Sequence, residues 1–319
     1  MKVIVQYIRE YLRHKWNARL FGGTALVLMI SFGINYGFDF ETTVLRRLTS
    51  PWEEAAFYYF FYAVPYFITL ALWSAVHRRW EVMREAHFWF LFHFWFILLA
   101  VYVVLHNVPF AFVRSHPDML LFVPAELHTY IARFASNVVP GVAVLGPIAA
   151  YWYVYDRRAT YLYGFSTSNI RLRTYAFILL LLVPIVFAAS FSPDFREAYP
   201  RFTFGLPASL APGKRTAWAA AFQFSYGLDF VFVEFLFRGF MVMAFARFLG
   251  SASILPMVVV YAFIHFQKPI GEAAGSIVGG LILGIISYNT KSIYGGVMLH
   301  LGVAYLMELA GSMQMWMAR

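Results

Sequence analysis

The 319-residue chain contains no cysteine, which excludes disulfides, thiolate metal sites and a cysteine nucleophile. Charge is nearly as scarce: 13% of residues are Asp, Glu, Lys or Arg, while 61% are hydrophobic. A water-soluble fold of this length needs far more charge on its surface. No H-E-x-x-H helix is present, so that zinc-protease pattern is absent. Ser, His and Asp fall in no spacing that suggests a catalytic triad. There is no internal repeat or low-complexity tract, which argues against the transporters built from repeats. No A-x-A-like cleavage site follows the first apolar run, so Phe21–Phe38 reads as a retained span rather than a removed signal peptide.

What is abundant is apolar sequence in runs of about twenty residues, the length that crosses a hydrocarbon core. With 35 Phe, 21 Tyr and 9 Trp, the chain suits a lipid-facing surface with aromatic belts. The expected fold is all-α, a polytopic transmembrane helix bundle of about 8–9 spans. After Phe21–Phe38 the runs are Ala55–Val76, His87–Leu105, Val138–Tyr155, Tyr175–Phe191, roughly Trp218–Phe245, Ile254–Phe266, Ala274–Tyr288 and Tyr294–Leu309. The opening MKVIVQYIREYLRHKWNAR reads as a short helix lying on the membrane surface. Basic clusters precede the first span and follow the second (Arg78, Arg79, Arg84) and the fourth (Arg157, Arg158, Arg171, Arg173). An inside N-terminus puts all three clusters in the cytoplasm, and the lack of eukaryotic targeting signals makes a multi-pass protein of the bacterial inner membrane the expectation. The net charge of +9 then belongs to topology and anionic headgroups, with membrane lipids as partners and no nucleic acid.

Two connections break the pattern. Asn107–Asn137 mixes prolines with charges and reads as loop plus surface helix, and Pro193–Thr216 has the Pro/Gly composition of a linker. The boundary placed there divides the chain into residues 1–200, an N-terminal membrane region with about five spans, and residues 201–319, a second domain carrying intramembrane charge.

Ionisable residues inside spans are costly, so each is a candidate site. SYGLDFVFVEFLFRGFMVMAFARF holds Asp229, Glu234 and Arg238; the last two are four apart, in the order that favours an ion pair on a helix. VVVYAFIHFQKPIGE follows with His265, Lys268 and Glu272, and SIYGGVMLHLGVAYLMELAG carries His300 and Glu308. One carboxylate, one Arg and two His thus lie on three successive regions that a bundle can gather. Glu308 reads as interfacial, Lys268–Glu272 reads equally as a solvated loop pair, and His93 reads as structural.

The ordered set Val233-Glu234-x-x-x-Arg238, Tyr261-x-x-x-His265 and His300-x-x-x-Ala304 resembles the motifs of the CPBP family, the CAAX prenyl protease 2 (Rce1-like) and Abi-type intramembrane proteases. The family pattern is Glu-Glu-x-x-x-Arg, Phe-x-x-x-His and His-x-x-x-Asn, and the likeness covers about residues 217–310. The resemblance implies an intramembrane endopeptidase in which a carboxylate and His265 activate water, His300 polarises the carbonyl or stabilises the oxyanion, and Arg238 fixes Glu234. Val233 stands where the family has its first glutamate, and Ala304 where it has asparagine. Asp229, one turn before Val233, is the first candidate to replace that glutamate; Glu272 and Glu234 itself follow. Either no metal or Zn²⁺ suits the set, with Glu234, His265 and His300 as ligands if zinc is used. The substrate is a membrane-associated peptide or protein, of which a prenylated CAAX tail, a sorting signal, a bacteriocin-related peptide and a lipoprotein all fit. Two other readings stay open: an inactive homologue acting as scaffold or substrate-binding protein, and a proton- or ion-coupled transporter.

Overall fold

A computed structural model of the chain describes residues 2–120, 123–158, 162–167 and 170–318. Among the described residues all regular structure is helical. Among these described residues eight helical segments are long and apolar enough to cross a membrane: Ala18–Phe38, Pro51–His77, Ala86–Ser115, Ala125–Asp156, Leu172–Ala189, Pro212–Phe263, Ile270–Thr290 and Tyr294–Met317. The chain is an integral membrane protein with an all-α, polytopic bundle. The Pro212–Phe263 segment joins two runs that the sequence separates.

In chain order, α1 is Lys2–Lys15, α2 Ala18–Phe38, α3 Phe40–Leu45, α4 Pro51–His77, α5 Ala86–Leu105, α6 Val108–Ser115 and α7 His128–Tyr151. Then come α8 Leu172–Ala189, α9 Pro193–Ala198, α10 Pro212–Glu234, α11 Val242–Leu249, α12 Ile254–Phe263, α13 Ile270–Thr290 and α14 Tyr294–Met317. Their starts follow local chemistry. Asn17 accepts the Arg19 and Leu20 amides to begin α2. Ser50 and Glu53 form a reciprocal capping box, with Pro51 as the first residue of α4. Asp39, at φ 48°, turns the chain from α2 into α3 in the left-handed region that Asp tolerates better than most residues.

The contacts resolve two compact units, each assembled from three stretches. The first comprises Met1–Val101, Ala150–Ile170 and Phe235–Gly296; the second comprises Tyr102–Ala149, Arg171–Glu234 and Val297–Arg319. These spatial units draw on sequence from both sides of residue 200.

At the centre of the first unit lies α12, which packs on α4 and α13. Every one of its ten residues is buried. A helix apolar on all sides has no polar face to offer water, and at 1.5 Å per residue α12 is about 15 Å long, half a hydrocarbon core. Gly280 and Gly284 of α13 allow the close approach: a Cβ on Gly284 would lie 2.7 Å from the Met257 methyl, and one on Gly280 would lie 3.0 Å from the Tyr261 ring. Between α10 and α11 the helix widens into a seven-residue π-helix, Phe235–Met241, buried throughout. The segment before α8 braces it. Asp156 binds both the Tyr163 hydroxyl and the Arg247 guanidinium, and Gly164, at φ +90°, accepts the Ile293 amide at 3.0 Å. A Cβ on Gly239 would sit 2.5 Å from the Tyr163 carbonyl oxygen. Gly239→Ala is therefore expected to destabilise the protein by about 1–3 kcal/mol. Thermal unfolding of the purified protein checks this, and an unchanged midpoint would contradict it.

The second unit has its own apolar core of Leu127, Tyr130, Leu206, Phe222, Tyr226 and Ala304. Glu308 of α14 anchors the stretch after α9: it accepts the Arg201 amide at 2.7 Å, the Phe202 amide at 3.3 Å and the Gln223 side chain at 2.8 Å. It is 4% exposed. The interfacial reading of Glu308 is thus corrected. Two backbone donors and an amide compensate the burial of its carboxylate.

Candidate functional site

Glu234 ends α10 and is fully buried. It meets His300 of α14, whose Nδ1 lies 3.0 Å from Glu234 Oε1, with 16% of the His300 side chain exposed. The Phe230 ring, one turn before Glu234, stands edge-on to His300 at 4.5 Å between centroids. A carboxylate accepts and does not donate, so this bond turns the Nδ1–H of His300 toward Glu234. Ala304, one turn beyond His300, is absorbed into the apolar core of the second unit. Asparagine in that place would have to find hydrogen-bond partners among Tyr130, Phe222 and Tyr226 or pay for burial without them.

Arg238 lies inside the π-helix, so the plain α-helical spacing assumed for Glu234 and Arg238 changes at Phe235. Its guanidinium carbon is 3.7 Å from the centre of the Tyr261 ring, and both side chains are buried. Desolvation strengthens such a cation–π contact. Tyr261 in turn holds His265: the Tyr261 carbonyl accepts from His265 Nδ1 at 2.8 Å, and the two rings pack at 4.6 Å. A carbonyl cannot donate, so Nδ1 carries the proton here too. His265 itself lies past the end of α12, in the turn leading to α13.

Two of the three candidates for the missing glutamate, Asp229 and Glu272, have partners of their own. Asp229 Oδ1 accepts from the Tyr102 hydroxyl at 2.6 Å and lies 3.5 Å from His106 Nε2. Nearby, Ser136 donates to the His106 carbonyl at 2.8 Å, and Asn137 donates to Ser225 at 3.0 Å. Sequence reasoning missed this polar layer, although Tyr102 and His106, four apart at the end of one apolar run, were a usable signal. Glu272 lies 3.2 Å from Lys268, both partly exposed. His93, read as structural, bonds the Tyr59 hydroxyl at 2.6 Å.

Among the described residues no group of three or more His, Asp or Glu side chains is arranged to hold a metal ion.

Neither the curated proteins nor the solved structures contain a match to this chain. Residues 215–306, which carry Asp229, Glu234, Arg238, His265, Glu272 and His300, match the family model of the type II CAAX prenyl endopeptidase Rce1-like proteins, so that this part of the chain is similar to a family of membrane proteases.

Proposed function

We propose that the protein is an intramembrane endopeptidase in which the Glu234–His300 pair activates the hydrolytic water. The observation that carries this reading is a buried carboxylate hydrogen-bonded at 3.0 Å to a histidine, inside a segment that matches a protease family. In the proposed step His300 Nε2 takes a proton from water as the oxygen adds to the scissile carbonyl carbon. The imidazolium then gives that proton to the departing amine nitrogen as the C–N bond breaks. Glu234 orients the ring and stabilises the positive charge that forms on it. His265, with its own Nδ1 committed to Tyr261, joins the same reaction by its place in the motif order, and Arg238 supports it through Tyr261. The substrate is a membrane-associated peptide or protein, and the basic clusters favour an inner-membrane protein with a cytoplasmic N-terminus.

A second reading is favoured by Val233 and Ala304, which replace two polar family residues, the latter within an apolar core. On that reading the chain binds a membrane peptide without cutting it. One experiment separates the two: comparison of membrane-protein termini in the native host among wild type, a deletion, and His265→Ala, His300→Ala and Asp229→Asn strains. A terminus lost in the deletion and in both His variants is the expected result, and its loss in Asp229→Asn as well would bring that carboxylate into the reaction. A deletion phenotype restored by every point variant would sink the endopeptidase and leave the binding protein.

A further inference from the structure

The turn that carries His265 is held, within the first unit, by the corner between α2 and α3. Asn35 donates to the Phe266 carbonyl at 3.1 Å, and Tyr36 donates to the Lys268 carbonyl at 2.8 Å and to that of His265 at 3.4 Å. Gln267 donates to Glu41 Oε1 at 2.9 Å and approaches the Tyr58 hydroxyl at 3.4 Å. Asn35 ties the corner together by also accepting the Glu41 amide at 3.2 Å. Glu41 is 4% exposed, and its second oxygen, Oε2, is buried with no hydrogen-bond partner. A carboxylate left with a bare buried oxygen is costly; a protonated carboxyl is far less so.

We propose that the α2–α3 corner is a latch on the His265 turn, with Glu41 as the positioning residue that sets its strength. The proposal rests on the reading that His265 takes part in the hydrolysis and adds a control to it. Burial first, and then the nearby Asp39, push the Glu41 carboxyl up to about 7, against the opposing pull of the bonds from Gln267 and Tyr58. The other charged groups around the corner are Glu54, beside Tyr58, and Glu272, beside Tyr36, with Lys268 paired to Glu272. The sign follows from a carboxyl raised on folding. The latch is at full strength below the ordinary carboxyl value of 4.5 and is lost as pH rises through about 7.

Hydrogen exchange of the 264–269 backbone in the full-length protein, corrected for intrinsic rates, tests the latch without any assay of cleavage. Between pH 5.5 and 8.5 the wild-type turn is expected to lose about thirtyfold in protection. Glu41→Gln should keep the low-pH protection at both values, and Asn35→Ala should lower it at both. A wild-type turn whose protection does not change with pH, or a Glu41→Gln turn that keeps the wild-type pH response, would overturn the latch. Cleavage decides the positioning role: the fall in activity at high pH should vanish in Glu41→Gln, and an unchanged profile would overturn that role. If exchange responds as expected but no variant cleaves at any pH, the latch stands and the endopeptidase reading fails.

Discussion

Glu308→Leu is expected to lower the unfolding free energy by about 3–5 kcal/mol, on the order of 10 °C in the unfolding midpoint. The substitution keeps the apolar bulk of the side chain but removes the acceptor for the Arg201 and Phe202 amides and for Gln223. A buried donor left without a partner costs about 1–3 kcal/mol, and here three groups lose theirs together. Glu308→Gln retains one acceptor oxygen and should fall between the two. Thermal unfolding of the full chain in detergent measures the effect, and a shift of a degree or less for Glu308→Leu would show that these bonds do not hold the stretch after α9.

His300→Ala and Glu234→Ala are each expected to reduce kcat/KM for cleavage by about 10²–10⁴. The two residues act as a unit, so the double variant should be no worse than the worse single one. That non-additivity separates a catalytic pair from two residues that merely stabilise the bundle, whose losses would accumulate. Glu234→Gln makes a finer test. It preserves an acceptor for His300 Nδ1 while removing the negative charge beside the imidazolium. Activity should drop clearly below wild type yet stay above Glu234→Ala. Wild-type turnover in His300→Ala would end the mechanism. Kinetics on the peptide whose terminus disappears in the deletion strain provide the measurement.

The bundle was readable because a membrane span writes itself along the chain: twenty apolar residues announce their own secondary structure. The capping box at Ser50 and Glu53 is local in the same way. Glu234, Arg238, His265 and His300 stood out in the sequence because ionisable side chains are rare in or beside apolar runs. What escaped notice depends on distant packing. The π-helix at Phe235–Met241 has no compositional mark; its Gly239 makes sense only once the Tyr163 carbonyl is known to press against it. Glu308 seemed interfacial because its partners lie more than a hundred residues earlier, at Arg201 and Phe202. Asp229 stood out as a charge inside a span, but its partners Tyr102 and His106 are farther still along the chain. Glu41 drew no attention at all: it sits in a short polar corner that resembles any connecting loop until its burial is seen.

The shortness of α12 has a consequence for how this protein can be taken apart. The backbone that follows this short helix is irregular, and its carbonyls are held by protein side chains. These are Asn35 and Tyr36, more than two hundred residues earlier in the chain. The stretch that is similar to the protease family therefore does not carry all of its own support. Excised or grafted onto another membrane anchor, it would arrive with its histidine turn unsupported. The first helices are part of what holds that turn, and a chimera that keeps the motifs but exchanges those helices keeps the signature without its support.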